Sequence, residues 1–103
     1  MILKDVASVI RSKNAGPYEL TLDVILKERE MFDRIKAADV INAEAIARLY
    51  KIPVEDVLSI VYFPNALAIK ATIVRPLASG NMGERDVYGA QQHAPLVNFE
   101  FEV

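Results

Sequence analysis

Two short polar stretches hold most of the side chains able to do chemistry. The first, Arg11-Ser12-Lys13-Asn14-Ala15-Gly16, places two cations, a hydroxyl and an amide beside a glycine. Successive backbone N–H groups in such a turn can form an anion-binding nest, and Arg and Lys add charge-assisted hydrogen bonds. A carboxylate or a phosphate suits it. The same residues also describe a solvated connection between strands, in which Asn14 and Gly16 only satisfy turn geometry. The stretch is no Walker loop, because the Gly-x4-Gly-Lys-Ser/Thr spacing is missing.

The second stretch is Asp86-Val87-Tyr88-Gly89-Ala90-Gln91-Gln92-His93-Ala94-Pro95, which contains the single histidine. His93 can serve as general acid or base near neutral pH. Asp86 can orient it, and Tyr88, Gln91 and Gln92 can bind polar substrate groups. The competing reading has these side chains capping sheet edges and tying the segment down. A lone histidine without cysteine makes a poor metal site, and Glu84 and Asp86 do not complete one, so neither metal nor cofactor is expected. No Gly-x-Ser-x-Gly elbow accompanies the histidine, which argues against a serine hydrolase. Gly80-x-x-Gly83 is too generic to indicate a nucleotide. Were the two stretches to act together, Arg11 and Lys13 would hold an anion and His93 would move a proton. That requires them to meet in space.

The elements that must position them follow from periodicity. Val57–Val74 reads as two β-type runs around a Pro64-Asn65 turn, in which Pro presets φ and Asn tolerates the left-handed region. In the second run Leu67, Ile69, Ala71 and Ile73 alternate with Ala68, Lys70, Thr72 and Val74. The first run is apolar on both sides, with Val57, Val61 and Phe63 against Leu58, Ile60 and Tyr62. Such a strand is central in a covered sheet or faces a partner subunit; a small core covered on both sides is the plainer account. Ile2–Ile10 reads as a strand, followed by the first polar stretch as a loop. Tyr18–Lys27 is a strand with Leu20, Leu22, Val24 and Leu26 on one face. Glu28 to Ala38 reads as a helix with Met31, Phe32, Ile35 and Ala38 on one side. A second helix begins at the N-cap Asn42, with Ile41 and Ile46 as a hydrophobic staple, and ends before Pro53. Residues 77–95 form a long loop, and loops of that length are usually functional or disordered. Leu96–Val103 closes the chain as a strand, with Val97, Phe99, Phe101 and Val103 alternating against polar residues.

The resulting order is β-β-α-α-β-β-β. It predicts one α+β domain over residues 1–103. The architecture is a two-layer sandwich with a mostly antiparallel five-stranded sheet and two helices on one face. A ferredoxin-like arrangement is the nearest label, although the order is not the simple βαββαβ. The totals narrow the function. With 103 residues, 52% hydrophobic, and 12 basic against 14 acidic side chains, the chain has no basic stripe for nucleic acid. Mean hydropathy of +0.19 is high for so small a chain and favours self-association or a partner. No cysteine, no membrane-length apolar run and an early Lys4-Asp5 pair make a cytoplasmic protein the expectation.

Val6–Pro17 with Glu19–Asp23, Asp86–Pro95, Ile46–Tyr50, Ile60–Phe63 and Ala66–Lys70 together resemble a bacterial family of small domains of unknown function. Its members occur alone or beside proteins of the acyclic-terpene-utilisation type, whose C-terminal domain looks similar and is described as ferredoxin-like. The resemblance implies a small subunit or appended domain of a larger enzyme in carboxylic-acid or acyl-coenzyme A catabolism. It marks Arg11, Ser12, Lys13, Asn14, Asp86, Tyr88, Gln91, Gln92 and His93 as candidates and implies no reaction. The expected partners are a second copy, a larger enzyme subunit, or an anionic small molecule. A free-standing binder or small enzyme using Arg11, Lys13 and His93 is the alternative.

Overall fold

The computed structural model describes residues 1–75 and 93–103. A helical turn α1 (Leu3–Val6) leads into β1 (Ala7–Asn14) and β2 (Glu19–Leu26). Helices α2 (Arg29–Ala37) and α3 (Ala43–Tyr50) follow, then β3 (Val57–Phe63) and β4 (Ala68–Val74), and finally a turn of helix, α4 (Ala94–Val97). The strands form one antiparallel sheet in the order β1-β2-β4-β3. Two hairpins thus lie side by side through β2 and β4, and the α2–α3 pair connects them.

Alternation builds the buried layer. Leu20, Leu22, Val24 and Leu26 of β2 and Ile69, Ala71 and Ile73 of β4 turn to one face. There they meet Phe32 and Ile35 of α2 and Ala45, Ile46 and Tyr50 of α3. Phe32 stands edge-on to Tyr62, with centroids 5.9 Å apart. The expected N-cap is present: Asn42 Oδ1 accepts a hydrogen bond from the Ala45 N–H at 2.8 Å.

The structure corrects four expectations. The sheet has four strands among the described residues, not five. The alternation of residues 97–103 buries Phe99 and Phe101 without forming a ladder, and only an isolated bridge joins Ile2 to Glu100. Pro95 fits the first turn of α4, where an N–H has no helical partner. The N-terminal strand starts at Ala7, because Leu3–Val6 is helical and puts Leu3 in the core. Among the described residues β3 is an edge strand rather than a central one. Its two apolar sides come from a β-bulge between Val57 and Ser59. Leu58 is the extra residue, so Val57, Ile60 and Tyr62 turn inward while Leu58, Val61 and Phe63 stay exposed. The hairpin turns at Pro64–Ala66 as expected, but the left-handed residue is Leu67 (φ 53°), not Asn65.

The fourth correction concerns Arg11–Asn14. These residues belong to β1 and pair with Asp23, Leu22, Thr21 and Leu20. Only residues 15–18 turn, with Gly16 at φ +98° and the Ala15 N–H bonded to the Glu19 carbonyl at 2.9 Å.

Candidate functional site

Because the first polar stretch is a strand, its side chains separate onto opposite faces. Ser12 and Asn14 lie opposite the buried Leu22 and Leu20 and so share the helix-covered face. Arg11 and Lys13 lie opposite Asp23 and Thr21 on the open face. Arg11 Nε donates to Asp23 Oδ2 at 3.2 Å, with 63% of its side chain exposed. The nest therefore does not form: its cations face one way and its hydroxyl and amide the other.

Ser12 is instead brought to His93. Ser12 Oγ and His93 Nδ1 are 3.5 Å apart across 81 residues of sequence. The hydroxyl donates when Nδ1 is bare and accepts when Nδ1 carries the proton. At that length the bond is weak, and its value is in orientation. It engages the Nδ1 side of the ring. His93 precedes α4, where its carbonyl accepts the Leu96 N–H at 2.9 Å. Leu96, fully buried, anchors that turn to the core.

Arg75 joins this end of the sheet and was not singled out by sequence reading. It follows β4, and its N–H extends the ladder to the Tyr18 carbonyl at 2.8 Å. Its position continues the Ile69-Ala71-Ile73 alternation, which puts it on the helix-covered face with Ser12 and Asn14. That phase was the available signal. Ser12 and Arg75 are the two buried polar side chains among the described residues, at 9% and 5% exposure. Asn14 Oδ1 and Arg75 Nη1 are themselves buried atoms. A guanidinium withdrawn from water requires several acceptors around it. One end of the sheet thus gathers a buried cation, a hydroxyl, an amide and an imidazole.

Asp86, Tyr88, Gln91 and Gln92 lie outside the described residues. Among the described residues no cluster of His, Asp and Glu could hold a metal ion, and no helix is long and apolar enough to cross a membrane. A groove of about 290 Å³ lies elsewhere, between the start of α3 and β3. Tyr62 and Asn42 line it, but the Tyr62 hydroxyl donates to the Ile41 carbonyl and the Asn42 amide caps α3. Those polar groups are already committed to the fold.

No curated protein and no solved structure matches the chain. Residues 3–100 match a family described as a domain of unknown function, DUF4387, and the chain belongs to that family.

Proposed function

We infer that this domain is a small accessory unit that contributes the polar end of its sheet to a site acting on a carboxylate-bearing substrate. The observation carrying this reading is the convergence of Ser12 and His93, 3.5 Å apart, on the face that also buries Arg75. The buried positive charge of Arg75 favours a carboxylate at this end of the sheet, and Ser12 and His93 place neutral polar groups beside it. The resemblance to domains accompanying acyclic-terpene-utilisation proteins supports a larger enzyme of carboxylic-acid or acyl-coenzyme A catabolism as the setting. Anion binding by Arg11 and Lys13 beside His93 has less support, because those cations project from the opposite face.

The single histidine makes the test direct, since its ring resonances are unique in the NMR spectrum. Acetate, propionate, succinate and inorganic phosphate are titrated into the full chain. The carboxylates should shift the His93 ring signals and raise the melting point. At a hundredfold excess over the dissociation constant, binding contributes about 2.7 kcal/mol, or roughly 10 °C or more for a domain of this size. Ser12→Ala should weaken the response and Arg75→Gln abolish it. A flat response to every carboxylate at tens of millimolar sinks the reading, and a response to phosphate alone reassigns the ligand class.

A further inference from the structure

We propose that β3 is a homodimer interface, pairing antiparallel with β3 of a second copy about a two-fold axis. This goes beyond the carboxylate reading and stands whether or not a ligand binds. Six large hydrophobic side chains are exposed among the described residues, and four of them, Val54, Leu58, Val61 and Phe63, fall within ten positions along this edge. Each keeps between 43% and 48% of its surface in water. Among the described residues β3 pairs with β4 on one side only, so its other side forms an edge of backbone donors and acceptors. Edge strands normally guard against pairing with a charge, a proline or an inward-facing polar group. Val57–Phe63 reads VLSIVYF and contains no charge and no proline.

Two observations select a second copy. A two-fold axis normal to the sheet sets open face beside open face, so the exposed Leu58, Val61 and Phe63 of one copy meet the same residues of the other in one isologous apolar contact. The ends of β3 are also oppositely charged. Glu55 and Asp56 immediately precede it, while at its far end Arg29 Nη2 donates to the Pro64 carbonyl at 2.9 Å. Antiparallel pairing brings the acidic end of each copy to the partner's pinned guanidinium, twice per dimer. Parallel pairing would bring like ends together. Lys70, on β4 beside Val61, is the nearest cation on the open face. The two copies of Lys70 would stand about three strand spacings apart, roughly 14 Å, beyond the ~8 Å screening length at physiological ionic strength.

Sedimentation and light scattering of the full chain over a concentration series test the proposal. The expected species has twice the 11.5 kDa chain mass. Leu58→Lys with Val61→Lys should give a folded monomer, with unchanged far-ultraviolet circular dichroism. Arg29→Glu should weaken dimerisation by about ten-fold or more, and Arg29→Glu with Glu55→Lys should recover it to within a few-fold. A wild-type chain that stays at monomer mass at all concentrations overturns the proposal. So does a dimer that survives the two lysines, or a charge reversal that fails to recover it.

Discussion

Truncating Phe101 to alanine should cost about 3 kcal/mol, although the residue lies in no strand. Its ring is buried and stacks on Phe99 with centroids 5.9 Å apart and planes 25° apart. Its backbone exchanges two bonds with the first residue: the Phe101 N–H donates to the Met1 carbonyl at 2.9 Å, and the terminal ammonium donates to the Phe101 carbonyl at 2.8 Å. The substitution leaves the backbone bonds possible and removes the ring. Core Phe→Ala changes cost about 3–5 kcal/mol, and the low end applies because Phe101 sits at the rim of the core. Against a total of roughly 5–15 kcal/mol, that is a large fraction. The melting point should fall by about 12–24 °C. The urea midpoint should fall by roughly 1–3 M at an unchanged slope. Urea unfolding followed by circular dichroism measures it, with Glu100→Ala and Glu102→Ala as controls. Both glutamates are exposed and should stay within ~0.5 kcal/mol of wild type. A loss below about 1 kcal/mol for Phe101→Ala, or an equal loss for either glutamate, would show that the tail is not held by its aromatic side.

Asn42→Ala removes both the cap to Ala45 and the amide bond to the Asp39 carbonyl, each 2.8 Å, and should cost about 1–2 kcal/mol in thermal unfolding. Lys51 ends α3 in the left-handed region (φ 56°), so Lys51→Gly should stabilise the fold by about 1 kcal/mol, read as a higher melting point. Arg11→Ala breaks an exposed pair and should change stability by less than ~1 kcal/mol while leaving the carboxylate response of His93 intact. Burial raises the phenol pKa of Tyr50, and burial followed by the charge of Asp39 raises that of Tyr62, both above the ordinary value of 10.0. The contribution of these phenols is complete below pH 10 and is lost as pH rises through their folded values. Stability should therefore fall above about pH 10. Phenolate absorbance should show these two tyrosines ionising together with unfolding.

The sequence made some parts of this molecule plain and hid others for definite reasons. Leu20 to Leu26 and Ile69 to Ile73 alternate cleanly because β2 and β4 occupy the middle of the sheet and have one buried face each. Asn42 announces its helix because the N-cap interaction is local. Arg11–Asn14 read as a loop because small polar residues dominate it. Their role in β1 is fixed by partners on β2 and, for Ser12, by His93 at the start of α4, which no local pattern encodes. Phe99 and Phe101 gave a strong strand pattern because alternation reports which side chains are buried, not how long a backbone neighbour is; here it is only Met1–Leu3, enough for one bridge. The contact between Ser12 and His93 depends on α4 returning to β1, so the types of both residues were visible while their meeting was not. Arg75 was legible in principle, in phase with Ile73, but Pro76 directly after it marks the end of a strand, and a charged residue at a strand end is ordinarily exposed.

The bulge at Leu58 has a consequence for chain length. A deletion inside a strand ordinarily reverses the facing of every later residue. Here Val57 pairs with Ile73 and Ser59 with Thr72, so the ladder passes over Leu58. Removing that one residue would leave Val57, Ile60 and Tyr62 on the core side and Ser59, Val61 and Phe63 on the other, in unbroken alternation. The strand has a position at which one residue can be lost or gained without disturbing the core. Length variation at that point among related chains would alter the outer edge of the sheet and leave the hydrophobic layer in register.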